Sequence, residues 1–178
     1  MSHYKPDPNK SVNLTIDGFP VVVPEGTTIL DAARKINIKI PTLCDHPDLH
    51  RRAVCRLCVV EVDDRGKLMP ACSNDVAEGM NVVTANERIL SIRRMIVQLL
   101  LSSHPQECLG CIRNQRCELQ TLAADFDIRS LPFPHTPADR HVRTTESGTL
   151  VRDMRKCIKC GRCVDVCQEV QTVRAISG

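Results

Sequence analysis

Eleven cysteines fall into three groups with the spacing of metal ligands, and none is left over. The first group is Cys44-x10-Cys55-x2-Cys58-x13-Cys72, the second Cys108-x2-Cys111-x5-Cys117 preceded by His104, and the third Cys157-x2-Cys160-x2-Cys163-x3-Cys167. Thiolates grouped in this way hold iron-sulfur clusters, and clusters in series move single electrons. Disulfides are the first competing chemistry. They require an oxidising compartment and usually an even count, whereas the count here is odd and the start, MSHYKPDPNK, lacks the apolar run of a signal peptide. Structural zinc is the second, because its sites also use Cys-x2-Cys knuckles. A zinc knuckle delivers ligands as two separated pairs, while Cys157, Cys160 and Cys163 form an unbroken triplet around one centre.

In the first group, Cys55 and Cys58 are close enough in sequence to share one iron, leaving Cys44 and Cys72 for the other. That is the ligand logic of a 2Fe-2S centre, although the spacing is wider than the plant-type run and the residues alone do not name the cluster. The second group has three cysteines where a cubane needs four ligands. Among the six histidines, His3, His135 and His141 read as surface or packing residues, and His46 and His50 lie in the first loop, where Cys72 completes the set. His104 follows a long helical stretch just before Cys108, so it is the candidate fourth ligand, bound through one ring nitrogen with the other held by an acceptor. The third group, CIKCGRCVDVC, is the loop of a bacterial-type ferredoxin, in which the fourth cysteine of a run serves the other cluster. No second run follows before Gly178, and Gln168 stands where a proline normally follows the last cysteine. Either Cys167 closes the same cubane or the fourth ligand belongs to sequence beyond this chain.

The elements that must position these residues are legible in part. Val12, Leu14 and Ile16 alternate with polar residues, Asp17-Gly18 signals a two-residue turn, and Phe19 to Val23 returns as a second strand. Thr28 followed by Asp31 opens a helix through Ile36, apolar on the face of Ile29, Leu30, Ala33 and Ile36. Cys58 to Val62 and Lys67 to Pro70 read as a strand pair turning through Asp64-Arg65-Gly66, with Asn81 to Thr84 as a further strand. Asn86 caps a helix through Ser102 with Ile89, Ile92, Ile96, Leu99 and Leu100 in a stripe; Leu90, Val97 and Leu101 lie off it, which predicts burial on more than one face. A shorter helix is expected near Cys117, and the proline-bearing residues 130–150 read as a connecting loop.

Composition narrows the function classes. The net charge is +3 with dispersed basic residues and scarce aromatics, Phe19, Phe126, Phe133 and Tyr4 with no tryptophan. Nucleic-acid binding wants a basic stripe and stacking rings, so it is not expected. The arginine pairs, including Arg51 and Arg52, read as a solvated face, with a partner surface beside the first site as the alternative. No apolar run reaches membrane-spanning length, so a cytoplasmic protein without a membrane span is expected. With so few rings to build a core, the apoprotein is expected to be at best partly folded.

The stretches LSSHPQECLGCIRNQRCELQTLA and DMRKCIKCGRCVDVCQEVQ, in this order after the first group, resemble the N-terminal iron-sulfur region of iron-only hydrogenase large subunits of the NAD(P)-linked, electron-bifurcating kind. The same region is similar to that of the complex I large iron-sulfur subunit, of NAD-dependent formate dehydrogenases, and of the diaphorase small subunit of soluble nickel-iron hydrogenases. The resemblance covers nearly the whole chain from residue 11. It implies an α+β architecture: a 2Fe-2S ferredoxin-like (β-grasp) domain over 11–85, a small helical 4Fe-4S domain over 86–129, a linker over 130–150, and a partial ferredoxin-like 4Fe-4S segment over 151–178. It implies that Cys44, Cys55, Cys58 and Cys72 hold a 2Fe-2S cluster, and that His104, Cys108, Cys111 and Cys117 hold a 4Fe-4S cluster. Cys157, Cys160, Cys163 and Cys167 match the first half of a double-cubane module.

The hydrogen-activating domain of iron-only hydrogenases has no counterpart here, nor is there a glycine-rich dinucleotide loop or a nucleophile with its base. The chain is therefore expected to lack a catalytic site and to bind neither flavin nor NAD. Its expected role is electron transfer between a flavin/NAD(P)-binding diaphorase subunit and a separate hydrogenase catalytic subunit, in a hetero-oligomer. A fragment of a longer hydrogenase, formate dehydrogenase or complex I-type subunit, and a zinc-stabilised scaffold, are the alternatives.

Overall fold

The computed structural model describes residues 7, 10–63, 66–134, 142–144 and 151–176. The chain forms two compact units, Met1–Leu90 with Gly161–Gly178, and Ser91–Cys160.

The first unit is built on a five-stranded mixed sheet. Strands β1 (Ser11–Ile16) and β2 (Phe19–Pro24) form an antiparallel hairpin with Val12 opposite Val23 and Leu14 opposite Val21. Asp17 and Gly18 both take positive φ, 50° and 82°, which the tight turn demands because its twist must match that of the strands. Asp17 also accepts hydrogen bonds from the Thr84 amide and hydroxyl, tying the turn to the chain beyond the sheet's central strand. Strands β3 (Val59–Val62), β4 (Lys67–Pro70) and β5 (Asn81–Val83) complete the order β2-β1-β5-β3-β4, with β5 parallel to β1 and antiparallel to β3. The turn residues 64 and 65 lie outside the described residues.

Helix α1 (Ile29–Lys35) starts at Thr28, whose hydroxyl oxygen accepts the Asp31 amide at 3.2 Å. Its Ile29, Leu30, Ala32 and Ala33 are buried with Val12, Leu14, Ile16, Val21, Val23, Val60, Val62 and Val82 from the sheet. Alternation on the strands and a single apolar stripe on the helix thus produce one apolar core, of which Cys58 and Cys72 are also members.

Helix α2 (Glu87–Ser102) begins where the Asn86 side chain accepts the Ile89 amide at 2.8 Å. It buries one stripe, Ile89, Arg93 and Val97, at helical spacing, while Leu90, Met95 and Leu99 are about half exposed. The expectation of burial on several faces is therefore corrected, and Leu99 leaves the predicted stripe. Helix α3 (Glu118–Asp125) follows Cys117 and buries Leu119 and Leu122. Residues 130–150 are not loop throughout. Strand β6 (Val142–Thr144) pairs antiparallel with β7 (Val151–Asp153), a ladder too short to leave a periodic signature in the sequence. His135, His141 and most of the predicted N-terminal arm lie outside the described residues. No helix of the described residues is long and apolar enough to cross a membrane.

Candidate metal centres

The loop between α1 and β3 lifts Cys44 and Cys55 together, their sulfurs 3.4 Å apart. Ala53 and Arg56 take positive φ, 52° and 59°, a costly conformation for side chains with a Cβ that folds the loop tightly around Cys55. The amides of Leu57, Cys44 and Leu43 turn inward onto the Cys55 sulfur. Across from this pair, Cys58 and Cys72 meet because the β3–β4 ladder runs on by one bond, from the Ala71 amide to the Cys58 carbonyl at 2.9 Å. The thiols that lie together are Cys44 with Cys55 and Cys58 with Cys72, a different grouping from the one that the closeness of Cys55 and Cys58 in sequence suggests.

Each pair is electrostatically prepared for a thiolate. The Cys44 thiol beside it, assisted by the inward amides and opposed by burial, lowers Cys55 to about 6. Cys72 does the same for Cys58, which is lowered to about 7, while Cys44 and Cys72 are raised as the proton-holding partners. Cys44, Cys58 and Cys72 are buried. Two thiol pairs facing one another, three members out of water and ringed by amide donors, suit a binuclear iron centre carrying negative charge.

Charged side chains brace this loop. Arg51 donates to the Thr28 hydroxyl at 2.8 Å, to the Cys72 carbonyl at 3.4 Å, and to Asp31. Burial pushes the Asp31 carboxyl up, but the bonds from Arg51 and Thr28 outweigh it and hold the group below its ordinary range. Asp45, next to Cys44 and almost wholly buried, receives Arg34 on Oδ2 at 2.6 Å, while its Oδ1 has no hydrogen bond and lies 3.7 Å from Arg51 Nε. Arg51 is thus part of the wall of the site and not a solvated face.

His104, Cys108, Cys111 and Cys117 line a single cavity of about 40 Å³ in the second unit, with Leu101 and Leu119 among its apolar walls. A 3-10 turn at Cys108–Gly110 and the start of α3 after Cys117 aim the thiols at this space. The histidine Nδ1 is 2.9 Å from the Pro105 carbonyl and Nε2 3.3 Å from that of Lys156. Cys108 is exposed, and Leu109 and Ile112 beside it are 93% and 87% exposed. The structure therefore gathers all four residues singled out from the sequence. In the first unit, His46 Nδ1 lies 3.8 Å from the Asp48 carboxylate, and the His50 backbone amide donates to Glu169.

The third run is divided at Gly161. Cys157 follows a 3-10 turn in the second unit, where its sulfur accepts the Lys159 amide at 3.4 Å, and Cys160 closes that stretch. Cys163 lies on α4 (Arg162–Asp165) in the first unit, and Cys167 on the π-helical turn Val166–Val170 that continues it. Among the described residues no three His, Cys, Asp or Glu side chains converge as a mononuclear metal ion would require.

Comparison with known proteins finds iron-sulfur families over each of the three cysteine groups. A family described as a 2Fe-2S iron-sulfur cluster binding domain matches residues 9–87, the NADH-ubiquinone oxidoreductase-G iron-sulfur binding region matches 93–131, and a 4Fe-4S binding domain matches 150–169. The chain is 45% identical over 172 residues to the NADP-reducing hydrogenase subunit HndD of Solidesulfovibrio fructosivorans, covering 94% of this chain and 29% of the relative. It is 34% identical over 160 residues to a subunit of an NADH-quinone oxidoreductase of Rhizobium meliloti, covering 89% and 19%. A solved NAD+-reducing [NiFe]-hydrogenase in the H2-reduced state matches with a TM-score of 0.85 and 30% identity, covering 94% of this chain and 70% of the matched one. The chain spans less than a third of the length of these curated relatives.

Proposed function

Because the chain belongs to the family of iron-sulfur subunits that includes those of NAD(P)-linked hydrogenases and NADH-quinone oxidoreductases, we propose that it relays single electrons between a flavin/NAD(P)-binding subunit and a hydrogenase catalytic subunit. The assembly proposed is a multi-subunit hydrogenase of the electron-bifurcating kind. The observation that carries this reading is the closeness of two thiol pairs, Cys44 with Cys55 and Cys58 with Cys72, three of the four thiols buried, with backbone amides turned onto the Cys55 sulfur. When bound, a 2Fe-2S cluster in this loop and 4Fe-4S clusters at the other groups supply one-electron carriers.

The chain's own residues bind, orient and insulate. In the proposed assignment Cys44, Cys55, Cys58 and Cys72 hold the 2Fe-2S centre. His104, Cys108, Cys111 and Cys117 hold one 4Fe-4S centre, and Cys157, Cys160, Cys163 and Cys167 supply the other. The shorter contact of His104 Nδ1, to the Pro105 carbonyl, favours the tautomer that carries its proton there and leaves the Nε2 lone pair for iron. The division into 11–85, 86–129, 130–150 and 151–178 is retained as the order in which the chain presents its sites. Exposed Leu109 and Ile112, flanking Cys108 and Cys111, support docking of a redox partner beside the second centre.

Iron and acid-labile sulfide per chain, measured on anaerobically purified protein with zinc in the same assay and EPR after reduction, test the reading. Roughly ten irons, one 2Fe-2S and two 4Fe-4S centres, are expected if the third site closes, and about six if it draws a ligand from elsewhere. Zinc without iron overturns the proposal in favour of a scaffold.

A further inference from the structure

The segment carrying Cys163 and Cys167 is seated on the loop of the first cysteine group by charge as well as by packing, all within the first unit. Asp165, between those two cysteines, is 4% exposed. Its Oδ1 and Oδ2 accept from Arg52 Nε at 2.7 and 2.6 Å, and Arg52 Nη2 also lies on Oδ1. Arg52 stands three residues before Cys55. Two further bonds run between the same stretches. The His50 amide donates to Glu169 at 2.8 Å, and Arg162 donates to the carbonyl of Asp45 at 3.1 Å.

Gly161, where α4 is capped, has φ 79°, and a Cβ there would fall 2.8 Å from Arg52 Cδ. The arginine stem therefore lies flat on the backbone at that point, which only a glycine leaves open. Beyond α4 the chain folds back, with the Val173 and Arg174 amides on the Cys167 carbonyl and the Ala175 amide on the Cys167 sulfur at 3.1 Å. A carboxylate so deprived of water is tolerable only while its cation stays in place.

We propose that Arg52 and Asp165 are a positioning pair that seats the Cys163–Cys167 turn against the thiolate loop of the first group. Its seating part concerns this chain alone; its consequence for electron transfer rests on the relay reading above. With the turn fixed, the third group presents two of its sulfurs at a constant place relative to the first centre. Transfer between two centres falls exponentially with their separation, so a loosened turn is a slowed relay.

The test uses the full chain with Arg52→Gln, Arg52→Lys and Asp165→Asn. Hydrogen exchange needs no cluster as reporter: the amides of residues 161–175 are expected to exchange at least about tenfold faster in the glutamine and asparagine variants, with those of 12–16 unchanged and Arg52→Lys in between. In the iron-loaded, reduced protein, dipolar broadening of the 2Fe-2S EPR signal by the third centre is expected to diminish in Arg52→Gln, with iron content retained. Asp165→Asn alters one charge at nearly constant shape, and keeps the test open if Arg52→Gln folds poorly. Exchange over 161–175 equal to the parent in both variants overturns the proposal, and unchanged broadening beside a loosened segment overturns its consequence for electron transfer. Iron and sulfide analysis of the parent separates the two readings: iron-free parent protein with a segment that loosens on substitution sinks the relay and leaves the seating pair standing.

Discussion

A histidine in a set of cysteines changes the charge at iron, and the consequence is measurable at His104. Exchanging thiolate for neutral imidazole removes negative charge from a cluster and raises its potential. His104→Cys should therefore assemble a centre whose midpoint falls by on the order of 100 mV in an EPR-monitored titration, whereas His104→Ala should lower iron occupancy at the second site. If both variants titrate like the parent with full iron, His104 is not a ligand. The candidate ligands stand out in the sequence because spacing marks them; the residues that brace them do not. Arg51 meets Thr28 and Cys72 more than twenty positions away, and Arg52 meets Asp165 across 113. Only folding makes such pairs, so the arginines read as a solvated face. The same cause explains the pairing of thiols, since Cys58 finds Cys72 through strand register and not through nearness in the chain.

At the scale of elements, local rules placed the hairpin, α1 and the start of α2, because a two-residue turn and two caps act within a few residues of themselves. The strand β6 and the single buried stripe of α2 escaped for opposite reasons: the first is too short to show a period, and the second has more apolar residues than it has neighbours to cover them. The cap at Asn86 is the point where the β unit hands the chain to α2, at whose far end His104 stands. Its side chain accepts the Ile89 amide and donates to Glu61 on β3, so one residue starts the helix and anchors it to the sheet. Asn86→Ala should lower stability by about 1–2 kcal/mol in a urea titration, and Asn86→Ser, which keeps the acceptor, by clearly less. Equal losses in the two variants would show that the cap contributes little there.

The whole molecule divides its dependence on iron unevenly. The first unit buries Val12, Leu14, Ile16, Ile29, Leu30, Val60 and Val82 to within a few percent of full burial, an apolar core that owes little to metal beyond Cys58 and Cys72. In the second unit the buried apolar side chains among the described residues are Val97, Leu119 and Leu122, and the cavity ringed by His104 and three cysteines occupies the place a core would fill. A small fold with so little apolar burial draws its stability from bound metal, because the free energy of ligation is then free energy of folding. The expectation of an apoprotein at best partly folded thus takes the form of two units that depend on metal unequally. Anaerobic removal of iron with a chelator should leave the amides of β1 and β2 protected against hydrogen exchange, while those of 93–101 and 119–125 lose protection by about a hundredfold or more. Uniform loss across both units would mean that the thiolate loop of the first site, and not its apolar core, holds the sheet together.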